Sequence, residues 1–142
     1  MRVRAGLVMA AVLAWLPPAA VGIVRLNWQM VPARAPVHWS GAGPDQWASV
    51  GLAFWSCIVP GIVGAVVCSL LVVPLSSDVS RLGAALTMGA LSAATGAVAF
   101  LWLAMALTAA GIGAPFLVVL AQVGWGLLVF GIALLTNAPP VR

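Results

Sequence analysis

The chain has 142 residues, 64% of them hydrophobic and only 6% charged, and its mean hydropathy is +1.19. A soluble domain carries roughly a quarter charged residues, so a chain this poor in charge cannot cover a water-exposed surface and has to be solvated by lipid. The charges are Arg2, Arg4, Arg25, Arg34, Arg81 and Arg142 against Asp45 and Asp78. These scattered arginines raise the pI to 11.3 without forming the dense basic patch that nucleic acid requires, which excludes nucleic acid as a partner.

A hydrocarbon core about 30 Å thick needs about 20 helical residues. An Arg or Asp at its centre costs about 2.5–3.5 kcal/mol on insertion scales, so the uncharged stretches mark the spans. The first is predicted over about residues 5–24, between Arg4 and Arg25. It has two readings: a retained helix that must kink at Pro17-Pro18, or a signal peptide with its charged start at Arg2 and Arg4 and small residues at Ala20-Val21-Gly22. The second span is predicted over about 51–75, with Pro60 expected to kink it likewise. Residues 82–141 are uncharged and too long for one helix. Gly111, Gly113 and Pro115 divide them into spans over about 82–109 and 115–136, and Asn137-Ala138-Pro139-Pro140 stops the last. The expected fold is therefore an all-α integral membrane protein of one domain. It has four transmembrane helices and a long extracytoplasmic loop, residues 25–50, between the first two. Placing Arg2, Arg4, Arg81 and Arg142 in the cytoplasm, with Arg25 and Arg34 outside, satisfies the positive-inside rule and puts both termini inside.

The third span carries a packing signal. Ala85, Gly89, Ala93 and Ala97 recur every fourth residue, flanked by Ser92 and Gly96, and small residues at that spacing let two backbones approach closely in lipid. The face serves either an intramolecular seam or a dimer; four short helices must first pack on each other, which favours the seam. Cys57 and Cys68 fit no zinc spacing and read as buried small hydrophobes.

The loop holds the unusual chemistry. Pro32 and Pro36 bias Val31 and Ala35 toward extended geometry, and Ser40 to Asp45 is turn chemistry, so an extended segment, a turn near Gly41–Asp45 and re-entry at Trp47–Gly51 are expected. Trp28, Trp47 and Trp55 suit the headgroup level. Trp39 either folds back to the bilayer or helps form an aromatic cover. His38 and Asp45 are too few for a metal site of three or four ligands, and no activated nucleophile accompanies them. No metal, cofactor or catalytic residue is expected; the pair should satisfy turn amides or each other. Ion-coupled transport calls for an ionisable group within the spans, and none of the four holds one.

The run Val31-Pro32-Ala33-Arg34-Ala35-Pro36-Val37-His38-Trp39, followed by Gly43-Pro44-Asp45-Gln46-Trp47, resembles the signature of an uncharacterised bacterial membrane-domain family. That domain also forms the N-terminal part of SdpI-type toxin-immunity proteins. The matching positions are Pro32, Pro36, His38, Trp39, Gly43, Pro44 and Asp45. Val31 stands where Leu is usual, Ala35 replaces a larger aliphatic, and the turn is one residue short. The resemblance covers about residues 10–75. It implies the bacterial cytoplasmic membrane, no enzymatic activity, and sensing of or immunity to a membrane-active peptide through the outer loop. Its partners would be the lipid bilayer and a peptide toxin or another membrane protein. The alternative is a structural or accessory subunit that docks its small-residue helix on a larger membrane complex.

Overall fold

The computed structural model describes residues 3–41, 43–113 and 116–136. In chain order these form helices α1 (Ala5–Ala14) and α2 (Leu16–Asn27), strands β1 (Arg34–Ser40) and β2 (Gly43–Ser49), and helices α3 (Val50–Ser77), α4 (Arg81–Ala109) and α5 (Leu117–Leu135). Among the described residues, four helical stretches are long and apolar enough to cross a membrane: 5–27, 50–77, 81–109 and 117–135. Arg2, Arg142, Pro115 and the expected stop at 137–140 lie outside the described residues.

The first stretch is two helices. Pro17 and Pro18 have no N–H to give to the carbonyls of Leu13 and Ala14, and the chain breaks at Trp15, just ahead of them. There the Trp15 N–H turns to the Val12 carbonyl at 3.1 Å and the Ala19 N–H picks up the Trp15 carbonyl at 3.1 Å. Both prolines are buried in the first turn of α2, where a missing donor costs little. Pro60 does not divide α3 in this way: the helix runs unbroken through Pro60 and Pro74. It is braced by α4, whose Ala99 lies 3.2 Å from where a Cβ on Gly61 would stand, while Thr95 fills the notch at Gly64.

Residues 25–50 depart from the expected open loop. Helix α2 takes residues up to Asn27, and residues 34–49 form an antiparallel hairpin, so the chain is not all-α. The extended bias of the prolines and the glycine-rich turn close into a ladder because the two strands lie on the ends of α3 and α4 instead of standing free.

Two clusters fill the interior. One, built around Leu7, Ala10, Cys68, Met88 and Val129, joins α1, α3, α4 and α5; the other, around Val21, Ile58, Ala99 and Trp102, lies beneath the hairpin. Arginines close the end of the bundle opposite the hairpin. Arg4 Nη2 donates to the Val79 carbonyl at 3.0 Å, and Arg81 donates to the carbonyl of Leu134 in the last turn of α5, where a cation also meets the negative end of the helix dipole. The outward faces are aliphatic: Leu70, Leu120, Val123 and Leu127 are each at least 60% exposed.

Candidate functional site

The hairpin holds the sequence's single histidine, His38, and one of its two acidic residues, Asp45. Its ladder pairs Arg34 with Ser49, Ala35 with Ala48 and Pro36 with Trp47, then resumes with His38 opposite Gln46, Trp39 opposite Pro44 and Ser40 opposite Gly43. Val37 is left over on β1 and Asp45 on β2. Two bulges on opposite strands restore the register while re-aiming the residues beside them. Pro36 and Pro44 both lack the N–H that an unbroken ladder would use. Gly43 opens β2 at φ 120°, a conformation that side chains with a Cβ rarely adopt.

This register separates the motif residues into two groups. Pro36 is fully buried, Trp39 is half-buried and Pro32 is half-buried ahead of β1. These residues are the hairpin's docking side. Trp39 meets Phe116 edge-on, with ring centroids 5.4 Å apart, so it bridges the hairpin to the segment leading into α5. His38, Pro44 and Asp45 are exposed. His38 Nδ1 lies 2.6 Å from Asp45 Oδ1, and the hydrogen bond from His38, with Ser40 also within reach, holds the Asp45 carboxyl below its ordinary value of 3.8. Arg34 Nη2 donates to the Trp47 carbonyl at 2.8 Å across the base of the ladder.

Beneath the hairpin lies an aromatic floor. Trp102 of α4 is wholly buried, packed edge-on against Phe54 at 5.2 Å and Trp28 at 6.4 Å. Its Nε1 donates to the Val50 carbonyl at 3.2 Å. The Val50 N–H in turn donates to the Ala33 carbonyl at 3.1 Å, closing the base of the hairpin onto the bundle. The sequence reading missed Trp102, because a tryptophan within an apolar span looks like any other lipid-compatible residue. Its one available signal was its depth, seven residues before the helix end and too far in for the headgroup level.

The small residues of α4 are placed as follows. A Cβ on Gly89 would stand 2.7 Å from Phe130 Cβ and 2.9 Å from the Gly126 carbonyl, and one on Gly126 would stand 2.5 Å from Ala93 Cβ. Ala85 is fully buried among Met88, Val129 and Ala133, and Ala97 is half-buried. Gly96 makes room for the Gln122 side chain. Gly126 is the partner the sequence reading did not name; its signal was Gly124-Trp125-Gly126, two glycines in one turn of a helix. Ser92 Oγ, Gln122 Oε1 and Trp125 Nε1 are buried without a hydrogen-bond partner. Among the described residues no three His, Cys, Asp or Glu side chains come together as a metal site would need.

The chain matches no protein-family model, no curated protein and no solved structure.

Proposed function

We propose that this chain is a multipass protein of the bacterial cytoplasmic membrane, without enzymatic activity, that meets a membrane-active peptide at the outer face through its hairpin. The observation that carries the reading is the division of the motif. Pro36 and Trp39 are spent on docking, while His38, Pro44 and Asp45 stand exposed on a fixed platform. A platform already held by the bundle loses little further entropy on binding. The charge pattern supports the orientation. Arg4 and Arg81 lie at the end opposite the hairpin, and the expectation that Arg2 and Arg142 share their side makes four arginines against two, the balance the positive-inside rule favours.

The test is protection. Cells producing the chain are challenged with a panel of membrane-permeabilising peptides. Protection against at least one peptide, lost when His38 and Asp45 are both replaced by Ala in a protein that still folds, is the expected result. Protection that survives this replacement, or none against any peptide, overturns the reading.

One observation favours a second role, that of an accessory subunit. A shallow apolar groove runs between α4 and α5, lined by Gly89, Ala93, Val123, Gly126 and Leu127, and offers a small-residue surface to a helix of a larger membrane partner. Stoichiometric co-purification of such a partner, abolished by Ala90→Leu at the exposed rim of the groove, is the outcome that role requires.

A further inference from the structure

Three of the four described arginines are held by the protein. Arg4 donates to Val79, Arg34 to Trp47 and Arg81 to Leu134. Arg25 has no hydrogen bond or ion pair among the described residues, although it is half-buried. It lies in the last turn of α2, in a groove against the first turns of α3 lined by Gly22, Leu26, Gly51, Phe54 and Trp55. Two glycines keep that groove open: nothing lies within 4 Å of where a Cβ on Gly22 or Gly51 would stand. The walls are apolar and accessible, with Leu26 85% and Trp55 62% exposed.

We propose that this groove binds an anionic glycerophospholipid, with Arg25 on the phosphate and an acyl chain laid along Gly22, Gly51 and Trp55. The argument is complementarity. A guanidinium offers several donors in a planar fork suited to phosphate oxygens, and here no protein acceptor competes for them. The N-terminus of α3 beside the groove adds partial positive charge. The tryptophan suits the headgroup level, and only an apolar chain makes use of a channel emptied by two glycines. The proposal is independent of the peptide reading.

The test uses the purified full chain in detergent, titrated with dioleoylphosphatidylglycerol or dioleoylphosphatidylcholine and read by native mass spectrometry as the lipid-bound fraction. Wild type should retain the anionic lipid preferentially. Arg25→Gln should weaken its retention about fivefold, the effect of about one surface arginine at an anionic headgroup. Arg34→Gln, at the same end but held by Trp47, should leave the preference intact. Gly51→Leu, which fills the channel, should weaken both lipids. If that variant does not fold, Arg25→Gln and Arg34→Gln decide the matter alone. Equal retention by wild type and Arg25→Gln, an equal loss with Arg34→Gln, or displacement of the lipid by millimolar inorganic phosphate would overturn the proposal.

Discussion

The indole of Trp102 donates to the carbonyl oxygen of Val50 at 3.2 Å, and Val50 is the residue at which the hairpin ends and α3 begins. The same residue's N–H reaches back to Ala33. One peptide position therefore ties the two ends of the hairpin to each other and to the middle of the bundle's most buried aromatic. Trp102→Phe keeps a ring against Phe54 and Trp28 but loses the bond, and should cost about 0.5–1.5 kcal/mol. Trp102→Ala also opens a cavity and should cost about 3–5 kcal/mol. Thermal unfolding in detergent separates the two; identical losses would mean that the ring contributes nothing beyond its N–H.

Sidedness is tested at Ser40, an exposed residue at the hairpin tip. With Cys57 and Cys68 replaced by Ala, a Ser40→Cys variant should react with a membrane-impermeant maleimide in intact cells. Reaction only after permeabilisation would place the hairpin in the cytoplasm and remove the basis of the proposed function.

The contact of α4 with α5 predicts opposite outcomes for two neighbouring glycines. Gly126→Ala would set a methyl 2.5 Å from Ala93 Cβ and 2.7 Å from the Gly89 carbonyl. Backbone cannot swing aside as a side chain can, so a loss of about 1–3 kcal/mol is expected. Gly124→Ala meets nothing within 4 Å and should be neutral or slightly stabilising, since alanine is the better helix former. Leu86→Ala, on an exposed position, serves as a lipid-facing control. Unfolding midpoints that do not distinguish Gly126 from Gly124 would contradict the close approach.

Gln122 should be improvable. Its Oε1 is buried without a partner, and its Nε2 reaches the Val118 carbonyl only at 3.4 Å. Gln122→Met keeps the length of the side chain and removes the unsatisfied oxygen, so a gain of about 1 kcal/mol is expected. A clear loss would show that the amide has a partner within the bilayer.

The His38–Asp45 contact makes a pH prediction. Folding lowers the Asp45 pKa below 3.8, so its contribution is complete above that value and is lost as pH falls through the lower, folded value. The hairpin should keep its resistance to proteolysis down to about pH 4 and lose it only in the more acid range. Asp45→Asn still accepts from the turn and should leave the hairpin ordered across the range. Asp45→Ala should loosen it at every pH and raise its rate of proteolysis in right-side-out vesicles. Loosening by Asp45→Asn equal to that of Asp45→Ala would assign the contact to charge alone.

Three uncharged stretches were readable from where Arg4, Arg25, Asp45, Asp78 and Arg81 stand, because a hydrocarbon core excludes charge strongly enough to punctuate the chain, and Gly111, Gly113 and Pro115 divided the last of them into two helices. Pro32, Pro36, Gly41 and Gly43 likewise announced an extended segment and a turn. The ladder between the strands, with Val37 and Asp45 squeezed out as bulges, depended on the bundle beneath. A two-stranded hairpin is marginal by itself, and here buried Ala35 and Pro36 against α4 hold it in register. The faces of the helices were hidden for a different reason. In water a helix advertises its core side by apolar periodicity, but in lipid the outward and inward faces are both apolar. The small-residue period of α4 pointed to Gly89, but its partner Gly126 and the Trp102–Val50 bond left no periodic trace, and three-dimensional packing alone decided them: only there does the backbone come close enough for a missing Cβ or a single indole N–H to matter.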